Sequence, residues 1–122
     1  SRNWSKAVLE WNLAADENYN PHTNYGGCDL CQGALIIYDN KVTRNVSYYI
    51  IGHASKFVPS GSIRIASNNI GSLYNVAFLR PDGKKVLIVL NEGDQFQNFI
   101  IQQGNKFIKA GIKSGSVASF VW

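Results

Sequence analysis

Apolar and polar residues follow two different periods along this chain of 122 residues. In the first third, the mostly apolar run Lys6–Ala14 predicts a parallel strand that is covered on both faces. A polar loop follows at Asp16–Gly27, where Asn, Pro, Gly and Asp leave no periodicity. The run Ala34–Tyr38 predicts a second strand, and the turn Asp39–Asn40 allows Lys41–Thr43 to pair back against it.

The period changes to that of a helix after residue 45. Apolar residues then recur three and four positions apart, which is the spacing of one helix face. Asn45 or Thr43 is suited to cap the start of this helix, and Pro59 with the glycine that follows is suited to end it. The stripe comprises Val46, Tyr49, Ile50, His53, Ala54 and Phe57. We interpret His53 as a packing residue.

From residue 62 onward the pattern predicts short antiparallel strands. The turn Pro81-Asp82-Gly83 combines a fixed φ, a carboxylate that bonds to nearby backbone and a glycine that adopts positive φ without strain. Gly104-Asn105 has the length and composition of a two-residue hairpin connection. The predicted strands are Ser62–Ser67, Tyr74–Arg80, Lys85–Asn91, Phe96–Gln103, Lys106–Lys113 and Ser116–Trp122.

These elements together predict a mainly β chain, in which a single βα unit precedes an antiparallel β-sandwich. We place residues 1–61 in the βα unit and residues 62–122 in the sandwich. A lone βα unit cannot bury both faces of its strand. The first region is therefore expected to need further elements that this chain does not supply.

Composition and charge narrow the range of functions. The chain is 45% hydrophobic and long enough for one ordinary core, but a complete (β/α)8 barrel needs about 250 residues. It has no apolar run of about 20 residues, so no membrane span is expected. The net charge of +4 is the sum of −1 over residues 1–53 and +5 over residues 54–122, which contain eight basic and three acidic residues. Because these lysines and arginines are scattered and form no arginine-rich stripe, we expect no nucleic-acid partner.

Two cysteines, Cys28 and Cys31, form the motif GGCDLC. Such a pair serves as a redox motif, as half of a zinc site or as a short disulfide. A thioredoxin-type motif opens a helix, whereas this one precedes a strand; zinc would need further ligands, with His22 in the same loop the nearest histidine. We favour a disulfide that staples the loop outside the cytosol, and unpaired thiols remain a further alternative.

Five segments resemble, in order, the C-terminal portion of glycoside hydrolase family 30, the glucosylceramidase-like β-glycosidases. The resemblance covers nearly the entire chain. The segments are Trp11–Ala14 (WNLA), Gly26–Cys31 (GGCDLC), Tyr48–Ile65 (YYIIGHASKFVPSGSIRI), Val76–Asn91 (VAFLRPDGKKVLIVLN) and Ser116–Trp122 (SVASFVW).

The resemblance implies a parent protein that is a retaining O-glycosyl hydrolase acting on β-linked glucosides or glycans without a cofactor. In that family the two catalytic glutamates lie on the fourth and seventh strands of a (β/α)8 barrel, upstream of the part that this chain matches. The chain is thus expected to be a fragment that supplies the last barrel unit and the sandwich. It is expected to be inactive alone, to have the upstream barrel as its partner, and to be secreted or periplasmic.

Trp11 is the main candidate for substrate binding, because a tryptophan face stacks on the apolar face of a sugar ring. The resemblance implies that it lines the glycone subsite and that Leu30, Cys31 and Gln32 border the subsites. We expect no metal site in the chain itself. We also expect no catalytic residue there; strand alternation turns the side chain of Glu10 away from that of Trp11. The other loop carboxylates are expected to be solvated or to cap turns: Asp16, Glu17 and Asp29.

Two alternative functions remain open, a non-catalytic carbohydrate-binding β-sandwich module and a structural domain without a ligand. A binding module requires an exposed aromatic platform in the β region. The aromatic residues there alternate in a way that predicts a buried face: Tyr74, Phe96, Phe99 and Phe107. Trp4 and Trp122 are interpreted as packing residues.

Overall fold

The alternating apolar residues and turn residues form strands and a helix in the computed structural model, which describes residues 5–23 and 25–122. Among the described residues there are two compact units, one extending to Gly52 and the other running from His53 to Trp122. The elements, in chain order, are β1 Ala14–Ala15, β2 Leu35–Tyr38, β3 Lys41–Arg44, α1 Val46–Phe57, β4 Ile63–Ile65, β5 Leu73–Leu79, β6 Lys85–Asn91, β7 Gln97–Gln103, β8 Lys106–Ile112 and β9 Val117–Val121.

The first unit contains a sheet with the order β1-β2-β3. Strand β2 pairs in parallel with β1 and antiparallel with β3. Asp39 and Asn40 connect β2 to β3 and both have positive φ, at 47° and 60°, as a two-residue hairpin turn requires. The predicted pairing of Lys41–Thr43 with the preceding strand is confirmed. Asp39 and Asn40 suit the turn, because Asp and Asn tolerate the left-handed region better than most residues.

The strand predicted over Lys6–Ala14 is wrong in its extent. Residues 6–13 lie outside the strands, and the described part of this run pairs only at Ala14 and Ala15. The side chains of residues 5–10 are exposed. A parallel strand is held by neighbours on both sides, and within the described residues β1 has β2 alone. Trp11 consequently precedes β1 rather than lying within a strand. The argument that strand alternation turns the Glu10 side chain away from that of Trp11 therefore does not apply.

Helix α1 begins directly after Asn45, as the sequence predicted. The Asn45 carbonyl accepts a hydrogen bond from the Tyr48 amide at 3.1 Å, while its side-chain Nδ2 donates to the Gly33 carbonyl at 2.7 Å. Thr43, the other predicted cap, lies within β3. The helix has no fully buried residue. Val46, Tyr49 and Ile50 of its apolar stripe are exposed, so the part of the chain that the structure describes covers the stripe only in part.

The second unit contains an antiparallel sheet with the order β4-β5-β6-β9 and a separate antiparallel hairpin, β7-β8. Gly83 closes the β5–β6 turn at φ 81°, and its amide donates to the Arg80 carbonyl at 3.0 Å. Asp82 accepts a hydrogen bond from the Lys84 amide and forms a salt bridge of 3.0 Å with Arg80. The turn chemistry predicted for Pro81-Asp82-Gly83 is thus confirmed.

The core of the second unit lies between the four-stranded sheet and the β7–β8 hairpin. Leu73, Val89 and Ile112 are buried at its centre. Phe99 of the hairpin meets Phe120 of β9 edge to face, with ring centroids 5.6 Å apart. Burying each large apolar side chain contributes about 1.5–3 kcal/mol. Contacts such as this one between the two layers therefore stabilise the sandwich.

The predicted burial of the β-region aromatics is wrong for three of the four. Phe99 packs against the core, but Tyr74, Phe96 and Phe107 have exposed fractions of 46%, 56% and 66%. Alternation identifies which residues share a face of a strand, but it does not identify which face is buried. Trp122 is partly exposed, and its indole Nε1 donates to Gln103 Oε1 at 2.8 Å.

The expected fold class, mainly β with one helix and an antiparallel sandwich, is confirmed. Trp4 lies outside the described residues. In the described part of the chain, no helix combines the length and the apolar character needed to cross a membrane.

Candidate functional site

The candidate site lies in the first unit, around the segment that connects β1 to β2. Trp11 is 69% exposed and the peptide bond that follows it is cis. Most of its indole surface is therefore accessible to solvent. Leu30 and Gln32 in the connecting loop are exposed as well, and Cys31 is half-buried.

Asp16 organises the start of the loop. Its Oδ1 accepts hydrogen bonds of 2.8 Å from the amides of Asn18 and Asn20, and its own amide donates to the Asn20 carbonyl at 2.7 Å. The Asn20 amide, more than any other group, holds the pKa of Asp16 below its ordinary value of 3.8. Asp16 therefore shapes the turn as an ionised acceptor, which matches the role expected for the loop carboxylates.

Cys28 and Cys31 form a disulfide in the second half of the loop. Before them, Thr23 Oγ1 donates to the Gly26 carbonyl at 2.5 Å. Gly26 and Gly27 have φ values of 77° and 102°, which L side chains rarely adopt. These short-range links give the cysteine-bearing loop a defined path although its side chains are largely exposed.

Gly33 brings the end of this loop next to Trp11 and Asn12. The Ala34 amide donates to the Asn12 carbonyl at 2.9 Å, and a Cβ placed on Gly33 would lie 2.6 Å from Asn12 Oδ1 and 2.7 Å from the backbone of Ala14. Only a residue without a side chain permits this approach. Gln32 and Cys31, which directly precede Gly33, are thereby placed beside the Trp11–Asn12 segment.

Asn12 and Asn45 lie next to the candidate site, and the sequence analysis did not assign either residue to it. Asn12 Oδ1 is shielded from solvent and accepts no hydrogen bond from the described residues. Asn45 ties the start of α1 to the Gly33 carbonyl at 2.7 Å. A glycine next to an apolar strand is a signal for close backbone approach, and the sequence analysis did not use this signal at Gly33. No sequence signal distinguishes the two asparagines from loop residues.

The described residues contain no group of three or more His, Cys, Asp or Glu side chains arranged to hold a metal ion. Glu10, Glu17 and Asp29 are exposed. His53, expected to be a packing residue, is half-buried in the second unit, where its Nδ1 is hydrogen-bonded to Ser119 Oγ at 2.9 Å. The assignment of Trp11, Leu30, Cys31 and Gln32 to substrate binding stays a prediction.

Residues 61–120 match the family model of the glycosyl hydrolase family 30 beta sandwich domain. This part of the chain therefore belongs to that family of glycosyl hydrolase domains, and the expected resemblance to the C-terminal portion of family 30 enzymes is confirmed.

The similarity to individual enzymes extends beyond the sandwich. The chain is 30% identical to the endo-1,6-beta-D-glucanase neg1 of Aspergillus fumigatus, over 98% of this chain and 26% of that protein. It is also 30% identical to the lysosomal acid glucosylceramidase of Mus musculus, over 93% of this chain and 22% of that protein. The solved structure of the endo-β1,6-glucanase BT3312 superposes with a TM-score of 0.88 and 31% identity, over 99% of this chain and 28% of that one. The chain spans about a quarter of the length of these relatives.

Proposed function

We propose that this chain is the C-terminal part of a retaining β-glycosidase and contributes one wall of its sugar pocket. The observation that supports this proposal most strongly is the extent of the match. The match to the A. fumigatus glucanase covers 98% of the chain, including Trp11 and the cysteine-bearing loop. The family model of the sandwich domain, by contrast, begins to match only at residue 61. In this proposal residues 1–61 form the last unit of a barrel and residues 62–122 form the accessory sandwich.

The chain's role in the reaction is to bind and orient the sugar. The exposed face of Trp11 offers an apolar surface for the sugar ring, and Leu30, Cys31 and Gln32 border the same pocket. Two upstream glutamates, about 5–5.5 Å apart, would act as acid/base and nucleophile and pass through a covalent glycosyl-enzyme intermediate. Stacking on Trp11 would hold the ring so that the nucleophile meets its anomeric carbon.

The uncovered apolar surface of the first unit supports the upstream barrel as a partner. Val46, Tyr49 and Ile50 lie on the helix stripe and are exposed, as are Leu9 and Leu13 on either side of Trp11. Apolar patches of this kind on a small unit mark surfaces that another element covers. In an intact barrel, neighbouring βα units would cover both sides of this one.

We propose β-1,6-glucan as the substrate to be tested first, with glucosylceramide as the second. Both choices come from the names of the relatives, because the loops of the remaining barrel units would determine the specificity. The disulfide between Cys28 and Cys31 supports an extracytoplasmic location, since disulfides persist in oxidising compartments.

The proposal is tested with the chain joined to the gene region that precedes it. This longer protein is expected to hydrolyse β-1,6-glucan or an aryl β-glucoside, and the 122-residue chain alone is not. Replacing Trp11→Ala should lower kcat/KM by about 10- to 100-fold, because one stacking surface for the sugar is lost.

Tyr38→Ala is the matched control, since Tyr38 is an exposed aromatic residue on β2 and should leave kcat/KM unchanged. Hydrolysis by the 122-residue chain alone would contradict the proposal. So would an unchanged kcat/KM after Trp11→Ala in the longer protein.

A non-catalytic carbohydrate-binding module remains the second candidate function. The specific observation in its favour is the exposure of Phe96 and Phe107, which supplies the aromatic platform that such a module requires. The two functions are compatible, because binding by the sandwich does not exclude catalysis by a barrel.

A further inference from the structure

The β7–β8 hairpin has an outer face that combines aromatic and amide side chains. Phe99, Ile101 and Ile112 of this hairpin point into the sandwich core. The residues between them point away from it, because side chains alternate across a strand. This outer face, here called the hairpin face, consists of Phe96, Asn98, Ile100, Gln102, Phe107 and Lys109, all of which are exposed.

Phe96 is held in place on the hairpin face by Gly111. A Cβ placed on Gly111 would lie 2.4 Å from Cζ of the Phe96 ring and 3.2 Å from Asn98 Oδ1. The absence of that side chain lets the ring lie against the backbone of β8. The ring is thereby oriented in advance, so less side-chain entropy is lost when a ligand binds.

The two aromatic side chains are spaced along the hairpin. Phe96 lies over Gly111, which pairs with Asn98, and Phe107 pairs with Gln102. These two ladder positions are four residues apart, which corresponds to about 13 Å at the rise of an antiparallel strand. A short oligosaccharide can bridge that distance. The amides of Asn98 and Gln102 and the ammonium group of Lys109 lie between or beside the rings.

The chemistry of the hairpin face suits an uncharged sugar chain. Residues 96–112 contain no Asp or Glu, so the hairpin face has one charged side chain, Lys109, among aromatic, aliphatic and amide groups. Sugar rings present apolar faces to aromatic side chains and hydroxyl groups to amides, and both partners occur here. The centre of a surface that binds another protein would be expected to be more continuously apolar.

Within the second unit, the β7–β8 hairpin and His53 contact opposite sides of the four-stranded sheet. In the second unit, the four-stranded sheet packs one side on the hairpin through Ala118 and Phe120. His53 of α1 is hydrogen-bonded to Ser119, which lies between these two residues and so faces the other side.

We propose that the hairpin face binds a neutral β-linked glucan chain by stacking on Phe96 and Phe107. The choice of a glucan rests on the proposed function, whereas the location and chemistry of the surface do not. The surface would hold the polymer on the protein independently of any reaction.

The test measures binding of the 122-residue chain to soluble β-1,6-glucan by affinity electrophoresis. The double variant Phe96→Ala with Phe107→Ala should bind at least about tenfold more weakly, because both stacking platforms are lost. Tyr74→Ala is the matched control: Tyr74 is an exposed aromatic residue on β5, and this variant should bind like the unsubstituted chain. Thermal unfolding of each variant checks that the fold is retained.

Three results would overturn the proposal. The first is that the folded chain does not bind glucan, and the second is that the double variant binds it equally well. The third is that the chain self-associates in sedimentation and the double variant loses this self-association but not glucan binding. The last result would make the face an interface between copies. If the chain does not fold alone, the same variants are compared in the longer protein, where lost binding supports the proposal and retained binding overturns it. Aryl β-glucoside hydrolysis by that protein separately tests the proposed function, and the hairpin variants should leave it unchanged.

Discussion

Asn91, at the end of β6, has a side chain with no solvent exposure and three hydrogen bonds to backbone. Its Nδ2 donates to the carbonyls of Gln95 and Ile112 at 2.8 and 3.3 Å, and its Oδ1 accepts from the Gly93 amide at 3.0 Å. These bonds tie the β6–β7 connection to β8. A buried amide that satisfies three backbone groups fixes a loop path that apolar packing alone would leave undefined.

Replacing Asn91→Ala should lower the free energy of unfolding by about 3 kcal/mol, because three backbone groups lose a hydrogen-bond partner that is itself fully buried. Denaturant unfolding of the full chain measures the change. Asn98→Ala serves as the control, since Asn98 is an exposed amide on β7 and its loss should cost less than about 0.5 kcal/mol. Equal effects of the two substitutions would show that the Asn91 bonds are not important for stability.

At the scale of elements, the pairing of β2 with the segment before it depends on Gly33. The Ala34 and Leu35 amides donate to the carbonyls of Asn12 and Leu13 at 2.9 and 3.0 Å. A Cβ at Gly33 would lie 2.7 Å from the backbone of both Ala14 and Ala15. Backbone atoms cannot move aside as the end of a long side chain can.

Replacing Gly33→Ala should therefore weaken this pairing by about 1–3 kcal/mol, the usual cost of an overpacked contact. Amide hydrogen exchange at Ala34 and Leu35 is the appropriate measurement and should become faster. The control is Gly52→Ala, because Gly52 lies in α1 with no atom within 4 Å of an added Cβ. That substitution should stabilise the helix by about 1 kcal/mol. Slower or unchanged exchange in Gly33→Ala would contradict the prediction.

The elements of the second unit were predictable from sequence because their signals are local. The β5–β6 and β7–β8 hairpins follow from alternation and from turn residues such as Gly83 and Gly104, which have φ values of 81° and 55°. Residues 6–13 were not, since an apolar run becomes a parallel strand only beside neighbours that the run itself does not encode. The orientation of Phe96 and Phe107 failed for a related reason: which face is buried depends on the opposite layer.

The candidate site was predictable only in part. Trp11 stood out because a tryptophan face can stack on a sugar ring and because its segment WNLA belongs to the family resemblance. The contact between the loop end and Asn12 could not be predicted, because it depends on where β2 docks. Asn45 lies 12 residues from Gly33, and its hydrogen bond follows from that docking.

For the whole molecule, the exposed residues of the helix stripe allow the proposed barrel partner to be tested. Tyr49 is 57% exposed, although it lies on the apolar face of α1. Tyr49→Ala should therefore change the stability of the 122-residue chain by less than about 1 kcal/mol. In the longer protein the same substitution should cost about 3 kcal/mol, because the ring would be buried against other barrel units.

Thermal and denaturant unfolding of both proteins measures this difference. Ser55→Ala is the control, since Ser55 is exposed on α1 outside the stripe and should have little effect in either protein. If Tyr49→Ala costs the same in the chain and in the longer protein, the stripe is not covered by the upstream region.

The order β4-β5-β6-β9 also has a consequence for synthesis of the protein. Strand β6 pairs with β9 from Val86 to Leu90, and Val86 meets Val121, which is made 35 residues later. At about 5–20 residues per second, the open side of β6 waits about 2–7 s on the ribosome before its partner is made. During that interval a strongly apolar strand has one unpaired edge that can join a neighbouring nascent chain. The arrival of β9 is thus a step at which misassembly can occur in the cell.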